Sequence, residues 1–576
     1  MDFREELVQV LQKATKLSHE EVSTLLTIPP NSDMGDYAFP CFKLGSSTKG
    51  KPLGSGESNN SSGNPKEAAE KLKKKLTLPS FVEKVEVAGP YLNFFIDKQI
   101  LAKEIITTIR KQKNKYGAGN GKRIIVVEYC GPNTNKPLHL GHVRNMALGN
   151  SVCRILSFAG NKVHPVNIIN DRGIHICQSM TAYQKWGQDK KPDKKGDHFV
   201  GDYYVQFAKK LKEDPSLKDE AQELLFQWEM KDKKVRALWN KMNIWVLKGF
   251  AETYKRFGIS FEKEYFESEL YEKGKEVVFE GLKKKIFVKD DNKSIIAELE
   301  QFGLPNKVLL RADGTSVYIT QDMYLAEDRY NDFSFDKLIY VVASEQKTHF
   351  QQLFKILELL KRPFARNLYH LSYGLVNLPT GRMKSREGTV VDADDIMDEI
   401  SGLALNEVNA RYPKISAKEK KERAEFIALG ALKFFMLKND AVRDMVYNPE
   451  ESLSFEGETG PYLQYTHARA CSILRKEKVT GTVHYNLLQE PQEKAVTLLL
   501  EKFPSILTQA AELYKPSLVC HYLIELSQAF NEFYHFCKVI GEDARLQNAR
   551  LALVDAARQV LANGLDALGI HAPERM

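Results

Sequence analysis

No CxxC pair occurs anywhere in the 576 residues, and the seven cysteines (Cys41, Cys130, Cys153, Cys177, Cys471, Cys520 and Cys537) are scattered. That scatter excludes the usual zinc-ligand spacings. An odd number of thiols in a long chain also argues against a disulfide framework, so a reducing compartment is the natural setting. Long apolar runs are missing as well: nothing approaches the ~20 residues that a membrane-spanning helix needs. The N-terminal MDFREELVQVLQ carries acids among its apolar residues, which fits neither a signal peptide nor an acid-poor transit peptide. No internal repeat is found. Neither sign of charge dominates, since 83 Lys+Arg against 75 Asp+Glu leave a net +8. This mild basic balance suits contact with a polyanion over part of the surface, and many metabolic enzymes share it. The expectation is a soluble cytoplasmic protein without membrane contact. Its 43% hydrophobic content can fill several cores, roughly three or four domains by length.

Residues 1–115 read as a separate α+β unit. Phe3, Leu7, Val10 and Leu11 recur at helical spacing over 3–16, a second helix is expected over 65–76, and a strand around 91–96. Between them the Gly/Ser/Asn-rich stretch 45–64 has almost no apolar content and reads as a flexible insertion. GAGNGK (117–122) marks a boundary. From 116 to 414 the pattern changes. The β-branched run IIVVEY (124–129) suits a buried parallel strand. It is followed by a helix over 139–160, a strand over 164–170, a strand over 340–344, a helix over 349–360 and strand-like SYGLV (372–376). Strands alternating with helices imply an α/β fold with a doubly wound sheet, into which the charged, helix-prone stretch 185–300 inserts. From 415 to 576 helical patterns dominate. In 517–537, Val519, Leu523, Leu526, Phe530 and Phe533 share one face, and 549–570 is a further amphipathic helix.

Two motifs carry chemistry. HLGH (139–142) stands where a strand and a loop run into a helix. A helix N-terminus offers free N–H groups and partial positive charge to an anion, two imidazoles can add donors, and Gly141 leaves room for a flat base. Alone, these four residues fit a pair of surface or capping histidines equally well. GRMKSREGTVV (381–391) is a Gly-flanked basic loop just after SYGLV. Arg382, Lys384 and Arg386 could grip a triphosphate, or could simply form a solvated turn. Each motif follows a strand's C-terminal end, where ligands of such sheets bind.

This ordered pair resembles the HIGH and KMSKS motifs of the class I aminoacyl-tRNA synthetases, and the resemblance runs from 116 to 576. EYCGPNTNKPLHLGH (128–142), YITQD (318–322), SEQKTH (344–349), QYTHARACSIL (464–474), the terminal LGIHAPERM, and MGDYAFP (34–40) of an extra N-terminal domain are similar to the arginyl-tRNA synthetase family. The resemblance implies a Rossmann-type nucleotide-binding catalytic domain, an N-terminal domain at the tRNA elbow and an all-α anticodon-binding domain. The implied ligands are L-arginine, ATP with its Mg2+, and tRNA(Arg), with no protein-bound zinc. The lack of a long appendage suggests a monomer.

It also implies site residues. His139, His142, Lys136, Lys384 and Arg386 would be catalytic. His139, Gly141, His142, Met383, Lys384 and Ser385 would bind ATP. Glu128, Asn133, His139, Tyr318, Asp322 and Gln346 would surround the arginine. A guanidinium is planar, always charged and rich in donors, so its pocket needs acceptors, preferably carboxylates. Tyr318 and Asp322, at i and i+4, face one way on a helical turn. The sequence does not apportion Glu128 and Asp322 between the two ends of the substrate, and Tyr318 taken singly also fits a core aromatic. Ser385 stands where KMSKS has its second lysine, and Lys136, upstream of HLGH, is implied to replace it. DRGIHI (171–176) departs from the family's usual G-D-x-G-x-Q. Tyr462, Tyr465, Arg469 and Tyr534 would meet the tRNA, whereas Phe530 lies on the apolar stripe. The basic runs 71–75 and 418–423 read as solvated helix faces.

Overall fold

The computed structural model describes residues 3–27, 29, 34–45, 64–377, 391–541 and 543–576. The chain divides into two compact units. One comprises 1–113, 473–501 and 529–559; the other comprises 114–472, 502–528 and 560–576.

In the first unit, strands β1 (Tyr37–Pro40), β2 (Val82–Ala88) and β3 (Tyr91–Ile96) form an antiparallel sheet with β3 in the middle. The helices Phe3–Thr15 and Pro65–Lys75 begin and end within a residue of the expected 3–16 and 65–76, and a further helix, Lys98–Gln112, follows β3 where the sequence reading placed none. Phe3, Leu7, Leu11, Phe39, Phe94 and Ile106 are fully buried among them. The MGDY motif is structural here. Gly35 has φ +98°, and a Cβ on it would fall 2.8 Å from the Phe94 carbonyl, so only glycine fits. Buried Asp36 accepts from the Ile96 N–H at 2.7 Å and pairs with Lys494 at 3.1 Å, while the Tyr37 hydroxyl donates to Glu501 at 2.7 Å. In the run 71–75, Leu72 turns inward and the lysines stay exposed.

The second unit is built on strands β4 (Ile124–Glu128), β5 (Lys162–Ile169), β6 (Lys263–Phe266), β10 (Lys337–Ala343) and β11 (Leu368–Tyr373), all parallel, in the order β11-β10-β4-β5-β6. A smaller antiparallel sheet of β7 (Val288–Lys289), β8 (Ile295–Ala297) and β9 (Lys307–Leu310) lies between β6 and β10 in the chain. Val126, Val166, Leu338, Leu353 and Ile356 are buried in a shared core, as expected for a sheet with near-continuous apolar strands. Progress from β4 runs outward through β5 and β6, then returns to β10 on the other side. The switch point therefore lies between β4 and β10, at Glu128 and Ala343.

The structure differs from the sequence reading at two places. The stretch 185–300 is helical for most of its length (Gly196–Lys210, Leu217–Glu229, Lys233–Phe257, Lys273–Lys283), but Lys263–Phe266 within it is the edge strand of the main sheet. SYGLV is not one strand. β11 ends at Tyr373 because backbone of Arg443 and Asp444 crosses Gly374, where a Cβ would meet it at 2.6 Å. The chain resumes as β12 (Val376–Asn377), which pairs with β13 (Met445–Val446). The helices Ala417–Leu437, Gly460–Lys476, Pro491–Leu513, Pro516–Phe536 and Ala544–Ala567 make up most of the remainder. Phe530 is fully buried, as its stripe demands. No helix among the described residues is long and apolar enough to cross a membrane, and all seven cysteines are buried.

Candidate active site

After Glu128 the chain turns through Cys130 and Gly131, both in left-handed backbone at φ 82° and 61°. Side chains from neighbouring elements hold this turn. The Cys130 N–H donates to Asn145, and the Gly131 N–H donates to Asn167 at 3.0 Å. Asn145 donates in turn to the Val341 carbonyl at 2.8 Å and to Tyr373 at 3.2 Å, which ties the turn to β10 and β11. Two residues past Gly131, Asn133 forms a β-bridge with Asn170 just past β5.

His139 is the N-cap of the Leu140–Phe158 helix. Its Nδ1 accepts from the Gly141 N–H at 3.2 Å, and His142 Nδ1 accepts from the His139 N–H at 3.1 Å. The Leu140 N–H donates to the Val391 carbonyl at 3.2 Å, and the His142 N–H donates to the His139 carbonyl at 2.7 Å. The first N–H groups of the helix are thus occupied, which overturns the expectation of free backbone donors for an anion. The available donors lie on the rings. An Nδ1 that accepts leaves the imidazole proton on Nε2. Burial, reinforced by Lys136, lowers His139 to about 3 and holds His142 well below the usual histidine range. Two neutral rings, their centroids 4.0 Å apart, therefore each carry an Nε2–H donor. The capping and phosphate-donor readings of HLGH describe one arrangement, because the caps set the tautomer. Gly141 serves the same end: a Cβ there would meet the His139 ring at 3.0 Å.

Arg144, one turn further and fully buried, donates to the carbonyls of Gly374 (2.6 Å), Ala441 (2.9 Å) and Arg443 (2.7 Å). It thereby joins the HLGH helix to the turn that ends β11. Arg382, Met383, Lys384, Ser385 and Arg386 lie outside the described residues. The described chain resumes at 391, and the Ala393 N–H donates to the Leu138 carbonyl at 2.8 Å.

Acidic groups gather around the ends of β4, β5 and β6. Glu128 is buried and ion-paired with fully buried Arg329; burial raises its carboxyl and Arg329 opposes the rise. Asp322 stands on the first turns of the Tyr318–Phe333 helix, and its carboxylate is 2.7 Å from His349 Nε2. Its charge reaches Glu128 and also Glu267, so these acids share one neighbourhood. Burial pushes Glu267 up to about 7 against the pull of Arg172. Burial likewise pushes Asp171 up to about 6, against hydrogen bonds from the Ser268 hydroxyl (2.7 Å) and N–H (2.9 Å). Arg172 pairs with Glu229 and lies over the Tyr271 ring at 4.2 Å. Tyr318 is 72% exposed, so it is no core aromatic; it lies within electrostatic reach of Glu267. Gln346 ends the exposed turn that follows β10.

Glu267, Arg329, Arg144 and Asn145 went unread in the sequence. Arg144 and Asn145 stand within HLGHVRN, and their spacing from His139 was the available signal. Glu267 follows a strand that the charge pattern concealed, and Arg329 has no local signal. Among the tRNA-facing candidates, Tyr462, Tyr465 and Arg469 share the Gly460–Lys476 helix, with the Arg469 guanidinium 4.7 Å from the Tyr465 ring centre. Tyr534 is 44% exposed and belongs to the first unit.

Three family models match: "tRNA synthetases class I (R), catalytic domain" over 105–449, "DALR anticodon binding domain" over 463–576 and "Arginyl tRNA synthetase N terminal domain" over 1–96. The arginine–tRNA ligase of Treponema denticola is 44% identical over 571 residues, covering 96% of this chain and 94% of its own. That of Parabacteroides distasonis is 45% identical over 482 residues, 79% of this chain and 81% of its own. The arginyl-tRNA synthetase structure from Thermus thermophilus superposes with TM-score 0.84 at 28% identity, covering all of both chains. The Plasmodium falciparum structure shares the fold, with TM-score 0.79 at 19% identity over 100% of this chain and 99% of its own. By its fold, its domain matches and the length over which its relatives agree, the chain belongs to the arginyl-tRNA synthetases, the class I arginine–tRNA ligases.

Proposed function

We propose that the switch point between β4 and β10 is where L-arginine and ATP react, and that its residues divide the work as follows. Neutral His139 and His142 donate from Nε2 to phosphate oxygens of ATP, and the Lys136 ammonium adds charge beside them. Lys384 and Arg386 contact the outer phosphates. Gly141, Met383 and Ser385 line the nucleotide, whose Mg2+ arrives as part of the substrate. On the other side, Asp322 and Glu267 accept from the arginine guanidinium, Tyr318 covers its plane, and Asn133 and Gln346 hold its α-amino and carboxylate end. Glu128 acts through its pair with Arg329, which leaves Asp322 as the more accessible carboxylate.

What supports this division is that two neutral imidazole donors capping the helix after β4, and a cluster of acids that includes buried Glu128, Asp171 and Glu267, both stand past the ends of strands of one parallel sheet. The arginine carboxylate oxygen attacks the α-phosphorus and the bond to pyrophosphate breaks, giving arginyl-adenylate. The 2′-hydroxyl of the tRNA's terminal adenosine then attacks the arginyl carbonyl, releasing AMP and a proton. Little covalent work falls to the protein, so positioning and charge stabilisation dominate. A pocket of buried acceptors would reject analogues without the guanidinium by roughly 10⁴ or more, which makes editing unnecessary. Residues 1–115 would meet the tRNA elbow, 116–414 would house catalysis, and 415–576 would read the anticodon through Tyr462, Tyr465, Arg469 and Tyr534. The enzyme would act as a cytoplasmic monomer.

The test is ATP–pyrophosphate exchange with each amino acid, with and without tRNA(Arg). Exchange with arginine alone, and only when tRNA is present, is expected. No exchange under any condition, despite tight tRNA binding, would instead make the chain a noncatalytic tRNA-binding paralogue.

A further inference from the structure

A second set of charged side chains bears on the start of the HLGH helix. Asp392 forms a β-bridge with His139. On either side the Leu140 N–H reaches the Val391 carbonyl at 3.2 Å and the Ala393 N–H reaches the Leu138 carbonyl at 2.8 Å. The backbone that carries His139 is therefore braced by residues 391–393.

That brace is itself held. Asp394 accepts from Lys195 Nζ at 2.6 Å, pairs with His198 Nε2 at 2.9 Å and accepts from the Thr253 hydroxyl at 3.2 Å. Lys195 also donates to Asp197 at 3.0 Å and to Thr253 at 2.5 Å. Asp197 is fully buried against Gly249, where a Cβ would fall 2.2 Å from its Oδ1. His198 Nδ1 lies 3.6 Å from Asp392. Two long helices, Gly196–Lys210 and Lys233–Phe257, thus deliver donors to the first turn of the Ala393–Arg411 helix. Asp197, His198 and Asp394 place metal-type ligand atoms within 4.8 Å of one another, but the Lys195 ammonium already supplies the positive charge there.

We propose that Lys195, His198 and Asp394 are positioning residues for His139. They fix the segment 391–394 so that its backbone holds Leu138–Leu140, and with them the imidazole donor, at the reacting phosphate. This rests on the reading of His139 as a phosphate donor. The arginine-side acids stand on other elements, so releasing the fastening disturbs the nucleotide half of the site and spares the arginine half.

The test compares H198A and D394N with the parent in tRNA-dependent ATP–pyrophosphate exchange, with H139A measured alongside. Both variants lower kcat by on the order of 10- to 100-fold, the effect of shifting a reacting group by about an ångström, and raise KM for ATP. KM for arginine stays within about twofold. H198Q, which keeps a donor for Asp394, recovers most of the rate. Unchanged exchange in H198A and D394N while H139A is impaired would overturn the proposal. So would an equal loss in the arginine and ATP parameters with a lowered unfolding temperature, because that marks a general scaffold role. An unimpaired H139A would overturn the reading on which the fastening depends.

Discussion

If Glu267 lines the arginine pocket as proposed, it gives that pocket a pH dependence that can be worked out from its surroundings. Burial holds its carboxyl near 7, in a neighbourhood that also holds Asp322, Asp171 and Arg172. The arginine guanidinium stays protonated throughout the accessible range, so only the pocket titrates. About a tenth of the Glu267 carboxyls are ionised one pH unit below the midpoint and about nine tenths one unit above it, and apparent affinity scales with the competent fraction. Arginine should bind roughly tenfold more tightly at pH ~8 than at pH ~6. Stability runs the other way. The folded chain holds this proton more tightly than the unfolded chain, so the carboxyl costs nothing below the ordinary carboxylate range. It becomes destabilising as pH rises from there to about 7. A shift from 4.5 to about 7 amounts to roughly 3 kcal/mol when complete. Glu267→Gln should therefore flatten the pH profile of arginine binding and raise the unfolding midpoint at pH ~8, while Asp322→Asn should weaken arginine at every pH. Calorimetric titration of arginine at constant ionic strength measures the first effect, and thermal unfolding measures the second. A flat profile in the parent, or an unchanged slope in Glu267→Gln, would refute the assignment.

Two further outcomes are expected. Lys136→Ala should slow ATP–pyrophosphate exchange strongly and Lys384→Ala less so, because Lys136 acts on both imidazoles; comparable rates in Lys136→Ala and the parent would sink this ranking. Gly149→Ala should lower stability by about 1–3 kcal/mol, since its Cβ would fall 2.3 Å from the Tyr129 ring. Gly402→Ala, which meets nothing within 4 Å, should raise stability by up to about 1 kcal/mol. Denaturant titration of the two variants checks the contrast.

How much was legible depended on how local each signal was. The β-branched run at 124–129 and the apolar series of 349–360 announce their elements by pattern alone, and HLGH announces itself by four neighbouring residues. Lys263–Phe266 did not, because an edge strand of four residues with only Tyr265 buried carries almost no apolar signature in a charged stretch. SYGLV reads as continuous strand, and the backbone that interrupts it at Gly374 arrives from residue 443. Glu128 and Asp322 could not be ranked from sequence because Arg329, the partner that claims Glu128, stands 201 residues away. The expectation of free N–H groups at 140–142 failed for a subtler reason: the histidines that mark the motif are themselves the acceptors.

The tautomer fixed by those caps bears on what happens after the bond breaks. A pair of imidazolium ions would attract the departing pyrophosphate through full charge and would hold it as firmly as the crowded phosphorus that precedes it. Neutral Nε2–H donors act through short-range directed dipoles, so their benefit is largest for the one geometry in which the phosphate oxygens meet both rings, and it falls away once the leaving group moves. Under the proposed roles, chemistry and product escape would be set by different forces: direction would govern the first, and the lysine and arginine charges, which salt can screen, would govern the second. Raising ionic strength would accordingly loosen pyrophosphate while leaving the imidazole contribution nearly intact.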